Sequence, residues 1–169
     1  MTNDSKKIDL KISFSIAYLI MEAIIFVGIQ ASGKSTFYKE RFFKSHIRIN
    51  LDMLKTRHRE SLLLNSCLKM GQPFVVDNTN PTKMDRKRYI VPAQEAEFQR
   101  IGYYFQSQLS TCLERNERRT DKERIPENGI RGTYSRLELP LIEEGFDELF
   151  YVTISGVGRF VVKEWKDEV

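Results

Sequence analysis

The chain has 169 residues, of which 41% are hydrophobic and 30% charged, and its formal net charge at pH 7 is +4. This length and apolar content suit one compact domain and exclude a small fold that needs disulfides or metals for its core. The two cysteines, Cys67 and Cys112, lack the spacing of metal ligands. They are interpreted as free thiols of a reducing, cytoplasmic compartment. The sequence leaves the oligomeric state open.

The N-terminal region contains an apolar stretch, SFSIAYLIMEAIIFVGI, over residues 13–29. Glu22 interrupts the stretch, which is short for a bilayer span, and no small-residue cleavage site follows it. We therefore predict neither a membrane segment nor a signal peptide. Because MEAIIFVG already suffices as a strand, we predict an N-terminal extension over residues 1–20, one domain over 21–155 and a C-terminal tail over 156–169.

Strands and helices alternate along the domain. Apolar runs bounded by glycine, proline or polar residues predict strands, and apolar residues at helical spacing predict helices. The predicted elements are, in order, a strand at Ala23–Val27, a helix at Lys34–Phe43, a strand at 46–50, a helix at Met53–Met70 and a strand at 73–77. The next helix is predicted to have Thr79 or Asn80 as its cap, with Pro81 in its first turn.

The second half of the chain continues this alternation. The predicted elements are a strand at Ile101–Gln106, a charged helix from Leu109 to about Arg119, a helix at Pro126–Leu137 and a strand at Leu149–Ile154. The tail sequence GVGRFVVKEW is predicted to add a hairpin or an edge strand. The alternation predicts an α/β domain, a three-layer sandwich with a mainly parallel central sheet.

A glycine-rich motif, GIQASGKS, follows the first predicted strand and opens the first helix. It matches GxxxxGKS, the pattern of a P-loop NTPase, in which backbone N–H groups and a helix N-terminus face phosphate oxygens. We expect Lys34 to contact the β and γ phosphates of ATP and Ser35 to bind Mg²⁺. The predicted nucleotide site consists of Gly28, Ala31, Ser32, Gly33, Lys34, Ser35 and Thr36.

The residues around this motif separate hydrolysis from group transfer. The chain has no Asn-Lys-x-Asp element of the guanine-specific proteins, and Asp77 is followed by Asn78 instead of a water-activating glutamate. A group-transfer enzyme needs a carboxylate beside the acceptor hydroxyl and cations near the transferred phosphoryl. The sequence therefore favours transfer.

Asp52, in INLDMLK, is the candidate for that carboxylate. It follows the second predicted strand, and the carboxyl ends of parallel strands meet at the same edge of the sheet. The alternative is that Asp52 is the N-cap of the helix predicted to begin at Met53.

The candidate cations lie in LERNERRTDKERIPE. On one helix Arg115 and Arg119 would share a face at i and i+4, where two like charges repel unless an anion is nearby. We interpret residues 109–137 as a helical lid. The alternative is a surface helix with salt bridges, since Glu114 and Arg118 have the same spacing.

Four stretches of this chain resemble the P-loop kinase family of the 5′-hydroxyl polynucleotide kinases and the zeta-toxin-like kinases. They are GIQASGKST, INLDMLK, VVDNTNPT and ERNERRTDKERIPENGIRGTYSRLE, and the resemblance runs from about Met21 to Ile154. It implies a kinase that moves the γ-phosphate of ATP to a hydroxyl acceptor, foremost the 5′-hydroxyl of a polynucleotide.

The resemblance also implies a role for individual residues. Asp52 would be the general base, and Asp77 would order the acceptor or the metal shell. Arg119, supported by Arg115, would neutralise the γ-phosphate. Asn78 and Asn80 would shape the acceptor loop. A phage member of the family has an arginine three residues after its aspartate that contacts the acceptor phosphate, and this chain has Lys55 there, which lacks the bidentate fork.

Two other functions stay open at this point. One is the same chemistry on a small metabolite or nucleotide sugar, and the other is a regulator that binds ATP without turnover. A nucleic acid acceptor predicts that the basic side chains line one groove leading from Asp52, whereas a small acceptor predicts that they scatter. These side chains are Arg48, Lys55, Arg57, Arg59, Lys83, Arg86, Lys87 and Arg88.

Overall fold

The computed structural model describes residues 21–156 and 158–166. The predicted extension over residues 1–20 lies outside the described residues. The strands are β1 (Glu22–Val27), β2 (Ile47–Ile49), β3 (Phe74–Val76), β4 (Gln99–Phe105), β5 (Glu148–Ile154) and β6 (Phe160–Glu164). The helices are α1 (Lys34–Arg41), α2 (Leu51–Leu54), α3 (Arg57–Met70), α4 (Lys83–Glu95), α5 (Leu109–Glu117) and α6 (Glu127–Tyr134).

The strands form one six-stranded sheet in the order β2-β3-β1-β4-β5-β6. Neighbours from β2 to β5 are parallel, and β6 is antiparallel to β5. The predicted mainly parallel sheet is confirmed. Strand β1 lies between β3 and β4, so the glycine-rich loop leaves the sheet at the point where the chain order reverses, which is where ligands bind in open α/β sheets.

Both faces of β1 are buried because successive side chains of a strand point to opposite faces. Ala23 and Ile25 pack in a core with side chains of α3 and α4, whereas Ile24 and Phe26 pack on the other face with Phe37 of α1. The sheet therefore lies between two helical layers. None of the described helices has the length and apolar content to span a bilayer.

The edge strand β6 supports the start of α1. The ring centre of Phe160 lies 5.1 Å from that of Phe37, and a Cβ atom at Gly33 would come within 3.1 Å of the Phe160 ring and 2.9 Å of Ile154 at the end of β5. Just after β6, the indole of Trp165 meets the ring of Tyr104 edge-on at 5.5 Å. The predicted edge strand in the tail is thus part of the wall behind the glycine-rich loop.

The predicted helix over Met53–Met70 is wrong in one respect, because the chain breaks it into α2 and α3. Lys55 has a left-handed backbone with φ of 69°, which a continuing helix does not allow. Thr56 then begins α3 by accepting a hydrogen bond from the N–H of Arg59. Asp52 consequently lies on a separate helix of one turn.

Two other predicted boundaries also change. The cap of α4 is Thr82, which forms a reciprocal capping box with Asp85, so Thr79, Asn80 and Pro81 precede the helix. Helix α5 ends at Glu117, so Arg119 lies beyond the helix and the i, i+4 spacing does not set its position.

Candidate active site

The glycine-rich loop is held in place by the loops beside it. The N–H of Gly28 donates to the carbonyl of Thr79 at 3.0 Å, and the N–H of Ile29 donates to Oγ of Ser107 at 3.1 Å. Gly33, the residue before α1, has φ of 102°, a conformation that glycine adopts without strain. The shape of the glycine-rich loop therefore depends on its own glycine residues and on the loops that follow β3 and β4.

Lys34 is buried within this loop. Its Nζ donates to the carbonyls of Gly28 and Ile29 and to Oγ of Ser32. Burial lowers the pKa of Lys34 from 10.5 to about 8, and the carboxylate of Asp77 opposes this shift. The ammonium group is therefore poised to gain from a nearby anion such as a phosphate chain.

Ser35 and Asp77 supply the oxygen atoms that a magnesium ion prefers. Oγ of Ser35 donates to Oδ2 of Asp77 at 2.8 Å, and Asp77 is buried at the end of β3. Among the described residues there is no group of three or more His, Cys, Asp or Glu side chains that could hold a metal. One hydroxyl and one carboxylate fit Mg²⁺, which usually completes its shell with substrate phosphates and water.

Arg48, on β2, lies against the same two side chains. Its Nε donates to Oδ2 of Asp77 at 2.8 Å and its Nη2 donates to Oγ of Ser35 at 2.9 Å. A second bond joins Nη2 to the same Asp77 oxygen, and the guanidinium lies 5.5 Å from the centre of the Tyr38 ring. Sequence reasoning included Arg48 only in a broad basic region and missed this contact.

Asp52 is exposed on α2, and neighbouring asparagines fix this short helix. The side chain of Asn50 caps α2 by accepting from the N–H of Met53, so the alternative of Asp52 as the cap is wrong. The amide of Asn50 also donates to the carbonyl of Asp77, and Oδ1 of Asn78 accepts from the N–H of Leu51 at 2.8 Å. These bonds join α2 to the end of β3.

A buried polar network lies behind Asn78. Its amide donates to Glu60 at 2.7 Å, and the hydroxyl of Tyr89 donates to the same carboxylate at 3.0 Å. Burial raises the pKa of Tyr89 to about 12, and the charge of Glu60 adds to the rise. Arg57 closes the network through Nη1, which lies 2.7 Å from Glu60. Sequence reasoning missed Glu60 and Tyr89, because each lies in a helix whose pattern is that of an ordinary core helix, and the contact between the two helices is not visible in the sequence.

The carboxyl edge of the sheet opens into a cleft of about 540 Å³. The residues predicted for the site that line it are Ala31, Gly33, Lys34, Ser35, Thr36, Asp52, Asp77, Asn78, Asn80 and Arg119. Lys55 and Arg115 do not line it, and neither do Gly28 and Ser32, which instead contact Lys34. Residues that were not predicted for the site but line the cleft include Gln30, Arg57, Asp85 and Arg136.

Asn80 has a different contact from the one expected of a substrate residue. Its side chain is buried and donates to the carbonyl of Phe26 at 2.8 Å, and its backbone has φ of 45°. Asn80 therefore links the loop after β3 to the central strand β1 through a side-chain hydrogen bond. The left-handed conformation suits asparagine, which tolerates it better than most residues.

The predicted lid region packs directly on the glycine-rich loop. Ile130 of α6 and Cys112 of α5 share a small apolar core with Ile29, and Nε2 of Gln30 donates to Oγ1 of Thr133 at 3.0 Å. The segment between α5 and α6 brings Arg119 to the cleft. The region can therefore place a cation near a bound phosphate chain.

The basic side chains that were considered as an acceptor groove are scattered. Arg57 lines the cleft, Arg48 is bonded to Asp77, and Arg86 is fully buried in an ion pair with Glu144. The other five are exposed and do not line the cleft.

Comparison with known proteins supports the resemblance drawn from the sequence. The profile of the AAA domain family AAA_33 matches residues 24–140. A bifunctional polynucleotide phosphatase/kinase of Schizosaccharomyces pombe is 33% identical over 129 residues, which are 74% of this chain and 32% of that protein. The chain thus spans about a third of this relative's length. The predicted ATP-dependent kinase agrees with these matches.

Solved structures match the fold at low sequence identity. Kti12 of Chaetomium thermophilum, crystallised with ADP-AlF3, has a TM-score of 0.60 at 17% identity and covers 80% of this chain and 92% of its own. The PezAT toxin-antitoxin system of Streptococcus pneumoniae gives a TM-score of 0.60 at 12% identity, with 95% of this chain and 82% of that chain covered. The predicted P-loop fold is confirmed. With its P-loop, its parallel sheet and a profile match over most of its length, the chain belongs to the AAA domain family AAA_33.

Proposed function

We propose that this protein is an ATP-dependent kinase that phosphorylates the 5′-hydroxyl of a polynucleotide. One observation carries the proposal: a single cleft collects the phosphate-binding loop, the exposed carboxylate of Asp52 and the guanidinium of Arg119. The first binds the phosphate donor, the second can accept the proton of a hydroxyl, and the third can neutralise the transferred group. Because both cysteines are free and buried, we place the activity in the cytoplasm.

In the proposed reaction Asp52 removes the proton from the acceptor hydroxyl. The acceptor oxygen then bonds to the γ-phosphorus, while the bond from that phosphorus to the β–γ bridging oxygen breaks and ADP leaves. Lys34 and Arg119 balance the charge on the phosphoryl oxygens. A magnesium ion held by Ser35 and Asp77 would supply further charge neutralisation when bound. No covalent protein intermediate is needed.

The position of Arg57 supports an acceptor that carries a phosphate. Its side chain lines the cleft, and among the described residues its hydrogen bonds, to Glu60 and Tyr89, use Nη1 alone. Lys55, at the position expected for acceptor contact, does not line the cleft. We propose that Arg57 binds the phosphate next to the acceptor hydroxyl, since a guanidinium fork matches phosphate oxygens.

A second candidate function is the phosphorylation of a small hydroxyl compound. The observation that favours it is the scatter of the basic side chains, because Arg57 is the one member of the predicted basic group at the cleft. A polynucleotide bound over several phosphates would need more positive charge along one groove. The relation to a polynucleotide phosphatase/kinase favours the polynucleotide, and an acceptor panel separates the two.

The experiment is transfer of label from γ-labelled ATP, with Mg²⁺, to 5′-hydroxyl DNA and RNA oligonucleotides, nucleosides and sugar nucleotides. We expect label on the oligonucleotides. The Asp52→Asn variant should lose at least roughly a hundredfold in rate, because the carboxamide cannot accept the proton. Label on small compounds alone would establish the second candidate, and label on no acceptor would favour a regulator that binds ATP without turnover.

The matched control is Glu95→Gln, which removes an exposed carboxylate at the end of α4, outside the cleft. Its rate should equal that of the wild type. Undiminished transfer by Asp52→Asn would remove Asp52 as the base, whichever acceptor is labelled.

A further inference from the structure

The contacts of Arg48 coincide with the oxygen atoms that fit a metal ion. Two of its nitrogen atoms bond to Oδ2 of Asp77, and one of them also bonds to Oγ of Ser35. The Arg48 side chain is 22% exposed and that of Asp77 is 1% exposed, so the ion pair is mostly shielded from water. These are the same hydroxyl and carboxylate that would hold Mg²⁺.

A guanidinium and a divalent ion cannot both take the same lone pairs. Oδ2 of Asp77 already accepts from Arg48 and from Ser35, and the hydroxyl of Ser35 accepts from Arg48. A metal ion that binds Oδ2 of Asp77 would have to displace Arg48 from this oxygen. At any other oxygen of the pair its charge would be repelled by the guanidinium at close range. Shielding from water strengthens both effects.

We propose that Arg48 is an internal competitor of the metal ion, which keeps free divalent ions off Asp77 and Ser35 until a nucleotide brings its phosphates to the loop. The phosphates supply negative charge and extra oxygen ligands, and these shift the equilibrium at Asp77 and Ser35 from Arg48 toward the metal ion. Metal and nucleotide therefore bind together. The inference rests on the proposed metal site but not on the identity of the acceptor.

Two neighbouring side chains can still contact Arg48 after it is displaced from Asp77. The guanidinium already lies against the ring of Tyr38, and Nη1 is 3.7 Å from the sulfur of Met53, which is exposed on α2. A cation over an aromatic ring is attracted to it, so Arg48 can leave Asp77 without losing every favourable contact. These contacts lower the free-energy cost of displacing Arg48 from Asp77.

The test uses Mn²⁺ as the probe in place of Mg²⁺, with no nucleotide present, and follows the paramagnetic resonance signal of the free ion. Arg48→Gln should bind Mn²⁺ at least about tenfold more tightly than the wild type, because the competing charge is gone. Arg48→Lys keeps the charge but loses the fork, and we expect an intermediate affinity. With ATP present, the difference between the wild type and Arg48→Gln should shrink.

Two further variants make the result specific. Arg59→Gln removes an exposed arginine whose side chain bonds to the carbonyl of Leu54, and this variant should bind Mn²⁺ as the wild type does. Adding Asp77→Asn to Arg48→Gln should abolish the gain. Equal Mn²⁺ affinity of the wild type and Arg48→Gln would overturn the proposal, and so would a gain that survives Asp77→Asn. This readout needs no phosphoryl transfer, so it is independent of the kinase assay.

Discussion

The donor side and the acceptor side of the cleft are built in different ways. On the donor side the amino group of Lys34 is bonded to atoms of its own loop, within six residues of sequence. On the acceptor side Asp52 is on a one-turn helix that Asn78 fixes from 27 residues away, and Asn78 is in turn bonded to Glu60 and Tyr89. The bonds that position the Lys34 ammonium are thus local in sequence, whereas those that position Asp52 are tertiary contacts. Substitutions on the two sides should have separable effects.

The largest effect is expected from Lys34→Ala. Removing the ammonium group takes away a cation that contacts the phosphate chain, so we expect ATP-dependent transfer to fall about 10²- to 10³-fold with every acceptor. The control is Lys39→Ala, an exposed lysine on the same helix. The measurement is kcat/KM for ATP. A variant that used ATP normally would remove the phosphate role of the loop.

A smaller effect, confined to the acceptor, is expected from Arg57→Gln. The loss of a charge-assisted bond to phosphate should raise the KM for a 5′-hydroxyl oligonucleotide about tenfold and leave the KM for ATP unchanged. Arg59→Gln, two residues further along α3, should change neither KM value. If Arg57 only stabilised Glu60, the variant would lower Tm and change both KM values together, which the same data would reveal.

The smallest effect concerns the proton on Lys34. Because burial lowers the folded-state pKa from 10.5 to about 8, the unfolded chain binds more protons between these values. The free energy of unfolding should therefore rise with pH across that window. A bound phosphate chain favours the charged lysine, so ATP binding near pH 8 should take up about half a proton.

Calorimetry of ATP binding in buffers that differ in ionisation enthalpy measures this uptake. It should grow between about pH 7.5 and pH 8.5, as more of the free protein has a neutral lysine. No uptake at either pH would mean that Lys34 is already fully charged without ATP.

The sequence predicts the donor side well because its determinants are contiguous. The motif, the strand before it and the helix after it follow from residues 22–41, and the alternation of apolar runs predicts the parallel sheet. The edge strand β6 was also predicted from the tail. Its contact with Gly33 was not, because that contact joins residues more than a hundred positions apart.

The acceptor side is harder to predict because its contacts are long-range. Arg48 reads as one more basic residue until the pairing of β2 with β3 brings it to Asp77, which is 29 residues away. The break at Lys55 depends on the Asn50 cap before it and the Thr56 cap after it, and neither stands out in a helical pattern. The same break separates Asp52 from α3, which contains Arg57.

The packing of β6 behind the glycine-rich loop has a practical consequence. Trp165 is the only tryptophan of the chain, and it follows directly the strand whose Phe160 contacts the start of α1. Its fluorescence comes from one known place in the fold. The indole lies near the start of β5, since its backbone N–H donates to the carbonyl of Leu149, and so its emission should report the pairing of β6 with β5 in the native chain without any label.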